Sequence, residues 1–369
     1  MHVLFLLAQQ HWTGAAEPTL QLARGLADRG WRSTVGWTRT PPGSLEEHVA
    51  ALGLAAPPGV EFVRKGFHPL ALWRDVRRLR QFVAQENVDI VFCNQSHDHW
   101  LGWRAAQQAR RPVLARQVHA SRQLAPRPGR RWLFRRTDAL VVASRRWKDA
   151  LLATDGLPAE RVFVLPPAVD TDRFSPAQNV QAIRAEIGAA PDDRLIGLVS
   201  RIKAGRGHDL ALAAFGRVRE RLPNARLLFI GHGEGQAAVE AAARATAFAD
   251  RVHFLGYRRD DLPAATAALD VALLLGEGAD GACRAALEAM ACGVPVAALR
   301  VGALTETLLD GETGRFVEPD ADALAAGILE ILAAPAWRRQ AREHAVRDLS
   351  LARRLDAAAA MFGEMAARR

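Results

Sequence analysis

The sequence predicts an α/β protein of two doubly wound domains, each a parallel sheet with helices on both faces. Three observations carry this. Short runs rich in Val, Ile, Leu and Phe alternate with helical-period segments along the chain. The runs are continuous rather than alternating, as in strands buried on both faces and joined by right-handed crossovers. A length of 369 residues is long for one core and suits two.

The elements follow in order. HVLFLL (2–7) reads as a first strand, TLQLARGLADRG (19–30) as a helix and RSTVGW (32–37) as a second strand. VDIVFC (88–93) and ALVVAS (139–144) continue the pattern. LPPAVDTDRFSP (165–176) interrupts it with three prolines and alternating acids, placing the domains at 1–170 and 171–353. Past the helix AQNVQAIRAEIG come RLIGLVS (194–200), ARLLFIG (225–231), RVHFLG (251–256), DVALLL (270–275) and VPVAAL (294–299). The Ala-rich tail RRLDAAAAMFGEMAARR (353–369) is a helix by propensity, expected to pack back onto the first domain from about 354. Two such sheets facing each other would place their carboxyl-end loops around one cleft, where ligands of these sheets bind.

Composition excludes several classes. A hydrophobic fraction of 49% and a charged fraction of 24% suit a soluble globular chain, and no apolar run is long enough to span a bilayer. The opening MHVLFLLAQQHW lacks a basic leader and a cleavage site, so it reads as a buried strand rather than a signal peptide. Cys93, Cys283 and Cys292 have no metal or disulfide spacing and favour a reducing cytoplasm as buried, inert thiols. The net charge of +9 is uneven: residues 1–180 hold 25 basic against 15 acidic residues, and the rest 24 against 25. In RPGRRWLFRR (127–136), Arg130, Arg131, Arg135 and Arg136 flank apolar residues and are candidates for an anionic membrane surface or other anionic partner. Arginine is overused everywhere, with 46 against three lysines, and no nucleic-acid motif is present, so nucleic acid is not expected.

Three clusters carry possible chemistry. QHWTGAAEPT (10–19) places Gly14 and Ala15 just before a helix start, where free N–H groups suit a phosphate. SRIKAGRGHDL puts Arg201, Lys203 and Arg206 in one loop after a strand, where guanidinium forks match phosphate oxygens; solvated surface arginines are the alternative. GADGACRAALEAMACGVP carries Asp280 and, eight positions on, Glu288. Asp280 has a bland reading as an N-cap and Glu288 one as an i,i+4 partner of Arg284; the functional reading makes both acceptors for sugar hydroxyls. His97 and His99, read as lying in a polar loop, are acceptor-side candidates, and no third metal ligand accompanies them.

Taken together, these segments resemble the retaining glycosyltransferases of family 4, which have the GT-B fold. LEAMACGVPVAA with its upstream acid is similar to the family's E-x7-E signature, and TGAAE (13–17) to its GGAE loop. ARQVHAS (115–121) resembles the strand ending in a His, and VLPPAVDTDRFSP (164–176) the linker V-x-P-N-G-V-D-x-x-x-F-x-P. The resemblance runs nearly the whole chain. It implies a first domain binding acceptor and a second binding a nucleotide-diphosphate sugar, with retention of anomeric configuration and no metal or other cofactor.

By the same resemblance, Arg201 and Arg206 would hold the diphosphate, Glu288 the ribose, and Asp280, with Gly281, Ala282 and Cys283 beside it, the transferred sugar. Gly14 and Ala15 would supply backbone near the phosphate, and His119 would sit at the sugar's reacting end. The acceptor would be a glycan or a lipid-linked glycan, in bacterial surface polysaccharide or lipopolysaccharide core synthesis at the inner membrane face. Asp280, Cys283, Arg206, Pro167-Ala168 and Ala15 stand where the family has Glu, Gly, Lys, Asn-Gly and Gly. These departures keep two alternatives open: a catalytically weak nucleotide- or glycan-binding scaffold, and another GT-B enzyme such as a glycosyl phosphorylase or sugar-nucleotide epimerase.

Overall fold

The computed structural model describes residues 1–9, 16–38, 44–60, 69–108, 111–119, 123, 128–277 and 281–368. The chain divides into two compact units, residues 1–166 with 354–369, and residues 167–353. Among the described residues each unit holds one six-stranded parallel sheet.

In the first unit the strands are β1 (His2–Leu7), β2 (Arg32–Trp37), β3 (Ile90–Cys93), β4 (Val113–Gln117), β5 (Ala139–Val142) and β6 (Val162–Val164). Their spatial order is β2-β1-β3-β4-β5-β6, with Leu4 opposite both Thr34 and Val91. All of β1 is buried, which is why its sequence is continuously apolar. The chain winds outward from β1 to β2, then returns to lay β3 on the other side of β1. That reversal makes the β1/β3 boundary a switch point, where the two outgoing loops part and leave a crevice.

The helices of this unit are α1 (Ala16–Ala27), α2 (Ser44–Ala51), α3 (Pro69–Gln85), α4 (Ser96–Ala105), α5 (Pro128–Phe134) and α6 (Arg145–Asp155). Right-handed crossovers put α3 to α6 on one face. There α3 and α4 share a core with Leu4, Leu6 and Val91. On the opposite face the C-terminal helix Leu351–Ala367 sets Phe362 edge-on against Phe5 and Phe92, at 6.2 and 5.3 Å.

The second unit repeats the plan with β7 (Arg194–Val199), β8 (Ala225–Ile230), β9 (Val252–Gly256), β10 (Val271–Leu274), β11 (Val296–Ala298) and β12 (Gly314–Phe316). The order is β12-β11-β10-β7-β8-β9, so the switch point lies between β7 and β10. The interleaved helices are α7 (Val180–Glu186), α8 (His208–Arg221), α9 (Gln236–Arg244), α10 (Leu262–Ala267), α11 (Arg284–Ala291), α12 (Leu304–Thr307), α13 (Ala321–Ala333) and α14 (Ala336–Asp348). Among the described residues no helix is long and apolar enough to cross a membrane.

Two expectations about local structure are corrected. His97 and His99 lie on α4, not in a loop, because Gln95 and Asp98 form a capping box that starts a helix through a polar sequence. The signature helix α11 begins at Arg284 with Cys283 as its N-cap. Asp280 therefore precedes the cap by three residues and is not the cap itself.

Candidate functional site

At the first unit's switch point one buried carboxylate ties the two strand exits together. Asp98, in the first turn of α4, accepts the Ala8 N–H from the loop after β1 at 3.1 Å. It also accepts the Asn94 and Gln95 N–H groups from the loop after β3, at 3.0 and 2.7 Å. Burial pushes its carboxyl up to about 7, against the pull of nearby Arg116 and those three N–H groups.

Asn94 then orients His119. Its Nδ2 donates to Leu6 O at 3.0 Å, which fixes the amide and turns Oδ1 toward two donors. Those are Thr19 Oγ1 at 2.8 Å and His119 Nε2 at 3.0 Å. An amide oxygen only accepts, so His119 carries its proton on Nε2 and presents a lone pair at Nδ1. Among the described residues that Nδ1 has no hydrogen-bond partner. Burial, reinforced by Arg116 and Arg354, lowers the imidazole to about 3. His119 is thus a neutral, aimed acceptor, suited to a hydroxyl rather than to a negative oxygen.

Arg116 is the largest fully buried side chain, and its Nε lacks a hydrogen-bond partner among the described residues. Burial and Arg116 also drive His99 well below its ordinary value. His99 is removed from the acceptor side. It is buried, and its Nε2 lies 2.8 Å from Thr137 Oγ1, whose own proton goes to Leu133 O at 2.7 Å. Nε2 therefore donates to Thr137, and the ring packs against Phe134 as a structural histidine. His97 is half-buried in the first turn of the same helix.

These shifts have a consequence for stability. An unfolded His119 titrates near 6.5 and the folded one near 3. The unfolded chain therefore gains the proton first, and stability is lost as pH falls from about 6.5 toward 3. The expected loss is about 1.4 kcal/mol per pH unit for each such histidine, and His99 acts in the same direction. The variant His119→Gln should show an acid-denaturation slope shallower by up to one proton, read from urea unfolding at several pH values.

In the second unit, glycines let the loops at the switch point stack backbone on backbone. Ser200 to Gly207 follow β7, and Gly231 to Gly235 follow β8. Ile202 N donates to His232 O at 3.3 Å and Gly235 N to Ile202 O at 3.0 Å. A Cβ at Gly231 would fall 2.0 Å from Ser200 O, and one at Gly233 2.2 Å from Ile202 O. On the other side, a Cβ at Gly276, after β10, would fall 2.4 Å from Gly205 O and 3.1 Å from the Arg206 Cα.

This stack carries the two arginines. Arg206 is half-buried, at the turn into α8. Arg201 is exposed and pairs with Glu234 at 3.0 Å. The Glu234 carboxylate lies below its ordinary value through its own N–H and through Arg201. His208, the first residue of α8, is buried beneath the loop with Nε2 3.4 Å from Ser200 Oγ. Its Nδ1 has no hydrogen-bond partner among the described residues, and burial and Arg206 lower its pKa.

The signature segment is partly visible. Gly14, Ala15 and Asp280 lie outside the described residues. Gly281 O accepts Ala303 N–H at 2.9 Å, fastening the segment to the loop after β11, with Ala282 half-buried beside it. Glu288 is half-buried on α11. Cys283 has φ +55°, the left-handed region that favours glycine. Its thiol is buried 3.6 Å from Val301 O and 3.7 Å from Gly281 O, so it fills the space behind the segment. Cys283→Val should cost about 1–3 kcal/mol, because a β-branched residue is strained at this φ, while Cys283→Gly should stay within about 1 kcal/mol; thermal unfolding distinguishes them.

Among the described residues no three His, Cys, Asp or Glu side chains converge as metal ligands. Arg130 is not a surface cation. It pairs with the buried Asp155 at 2.9 Å, donates to Gln123 O at 3.1 Å and stacks over Phe134. Arg131, Arg135 and Arg136 are exposed.

Sequence reasoning missed Asn94, Asp98, Glu234 and His208. The acid at the third helical position of α4 was the one local signal, as a capping-box residue.

Two family models match in tandem: "Glycosyltransferase Family 4" over residues 12–173 and "Glycosyl transferases group 1" over residues 179–348. A GDP-mannose-dependent alpha-(1-6)-phosphatidylinositol monomannoside mannosyltransferase of Mycolicibacterium smegmatis is 31% identical over 280 residues, 70% of this chain and 71% of its own. The chain belongs to the group 1, family 4 glycosyltransferases.

A D-inositol 3-phosphate glycosyltransferase of Mycobacteroides abscessus is 30% identical, the match spanning 69% of this glycosyltransferase and 62% of that one. Among solved structures, a glycosyltransferase from Rickettsia africae superposes with a TM-score of 0.85 at 17% identity, covering 99% of this chain and 98% of its own. HepE from Anabaena, solved with UDP-glucose, superposes at 0.80 with 21% identity, covering 99% and 100%. These likenesses establish the GT-B fold of this glycosyltransferase.

Proposed function

We propose that this glycosyltransferase moves a hexose from a nucleotide-diphosphate sugar to a glycan or lipid-linked acceptor, with retention of configuration and without a metal. The observation that supports it most is the glycine-stacked loop set of the second unit, which holds Arg201 and Arg206 at the switch point beside the segment leading to α11. A diphosphate gains negative charge as the sugar leaves. Fixed guanidinium groups therefore bind the transition state more strongly than the bound donor, which is the condition for acceleration. Two such cations supply the charge that a metal provides elsewhere.

In this reading residues 167–353 bind the donor, with Glu288 on the ribose and Asp280 on the sugar. The first unit binds the acceptor, and His119 accepts a hydrogen bond from a sugar hydroxyl through Nδ1. Arg201 must exchange Glu234 for phosphate, so Glu234 competes with the donor and helps release the diphosphate product. The Mycolicibacterium smegmatis relative, which acts on a phosphatidylinositol monomannoside, supports a lipid-linked acceptor, while the Mycobacteroides abscessus relative, a D-inositol 3-phosphate glycosyltransferase, supports a soluble inositol phosphate. Surface polysaccharide or lipopolysaccharide core synthesis at the inner membrane face is the role implied by the sequence resemblance alone.

A panel of nucleotide sugars tests the reading. The true donor should raise the melting temperature, by an amount corresponding to about 2.7 kcal/mol at a hundred times its Kd. Transfer should survive EDTA and give a product with the donor's anomeric configuration by NMR. Binding without transfer or donor hydrolysis would favour a scaffold. Turnover of a disaccharide with free phosphate would favour a phosphorylase.

A further inference from the structure

We propose that His208 is a positioning residue for the donor loop: it clasps the loop's two ends together and takes up a proton from solvent when a diphosphate settles on Arg201 and Arg206. This role rests on residues 167–353 binding the donor.

The loop that follows β7 opens at Ser200 and closes at His208, the first residue of α8. Its exit is tightly held. Gly207 has φ +77°, and a Cβ there would fall 2.3 Å from that of Leu275. His208 is 3% exposed, with its ring centroid 5.4 Å from that of Phe229 on β8. Its Nε2 reaches back to Ser200 Oγ at 3.4 Å. The Ser200 hydroxyl donates to Arg201 O at 3.4 Å, so Nε2 carries the hydrogen and donates to Oγ. One imidazole thus closes the base of the loop that holds both guanidinium groups.

The same tautomer leaves a lone pair at Nδ1, buried and without a hydrogen-bond partner among the described residues. A buried acceptor without a donor costs stability, and the clasp on Ser200 needs only Nε2. A proton is the one partner that needs no extra space.

Charge decides when it arrives. Burial lowers the His208 pKa, Asp209 works against this and Arg206 reinforces it, so the imidazole of the free protein is neutral near pH 7. Further along are Arg201 and Lys203 on the same loop, His232 and Glu234 after β8, and Glu277 after β10. α9 and α13 meet α8 through apolar side chains, and Asp322 pairs with Arg217, more than two turns from His208. A diphosphate on the arginines cancels the push of Arg206 and adds negative charge to the loop. Binding then raises the pKa of His208, so donor affinity rises as pH falls toward the free protein's value.

The experiment titrates UDP-glucose, GDP-mannose and ADP-glucose into the full chain by calorimetry, in buffers of different ionisation enthalpy, from about pH 5.5 to 7.5. Nucleotide sugars are used because a diphosphate esterified at both ends does not titrate there, whereas a terminal phosphate titrates at about pH 6. The donor that binds should take up a fraction of a proton that grows as pH falls, with Kd dropping by up to about tenfold per pH unit. His208→Gln keeps a side-chain N–H for Ser200 but cannot titrate. It should still bind the donor, at an unchanged melting temperature, with the proton uptake gone. His232→Gln, the neighbouring imidazole, should leave the uptake intact. Binding without proton uptake, uptake that survives in His208→Gln, or uptake lost in His232→Gln would overturn this role while leaving the donor site standing. Binding of none of the three would overturn the donor site, and this role with it.

Discussion

Replacing Arg206 with alanine is expected to lower kcat/KM by about 100- to 1,000-fold, a loss of about 2.7–4 kcal/mol of transition-state stabilisation. The size follows from where the guanidinium sits. Arg206 is half-buried, and the backbone that carries it is clamped on the Gly276 side, so its Cα is held in place in the free protein. A preorganised charge does no reorganisation as the diphosphate leaves. Arg206→Lys restores the charge but not the forked geometry, and should recover only part of the loss. Arg201, exposed and already paired with Glu234, should cost less when removed. Glu234→Gln should make the nucleoside diphosphate product bind more tightly and inhibit more strongly. Steady-state kinetics with product inhibition separates the three variants.

The second large effect needs no contact with the ligand. Gly276→Ala places a methyl 2.4 Å from Gly205 O and 3.1 Å from the Arg206 Cα, and backbone has no flexible end to swing away. The loop bearing Arg206 must shift, and misplacing a charge by about 1 Å costs about a hundredfold in rate. The effect should fall on kcat/KM, with the melting temperature changed little compared with an equal clash in the core. Gly363→Ala, where nothing lies within 4 Å of the added methyl and where, as at Gly276, φ is not positive, is the control for adding a methyl without a clash.

Much of the fold was legible because parallel strands buried on both faces leave continuous apolar runs. β1 and β2 match the expected segments residue for residue, and β7 and β8 to within one. β4 escaped this logic and came only through resemblance, since Arg116 and Gln117 break its run. A buried arginine in a central strand has no periodic signature. β6 and β12, three residues each, are too short to show a pattern. α4 was read as a loop because Ser96, His97, Asp98 and His99 open it, and its helicity rests on a cap rather than on an apolar stripe.

Arg201 and Arg206 were legible for a chemical reason, as clustered cations after a strand. The network around His119 was not. Asp98 to Ala8, Asn94 to Leu6 and His119 to Asn94 join residues 90, 88 and 25 positions apart, and only the folded β1/β3 crevice brings them together. The same limit misassigned His99, whose spacing from His97 suggested a shared role while Thr137, 38 residues on, claims it for the core. Cys283 shows the reverse. As a letter it looked like a substitution in a sugar pocket, and its φ and its buried thiol make it first a backbone substitution.

The central claim is that the stacked loops of the second unit hold the donor's diphosphate. Calorimetric titration of UDP, GDP and ADP into the wild-type protein and into Arg206→Ala tests it most directly. The account predicts that one nucleoside diphosphate binds the wild type in EDTA-treated buffer and binds Arg206→Ala at least tenfold more weakly. If none of the three binds, or if Arg206→Ala binds as tightly as the wild type, the account is contradicted.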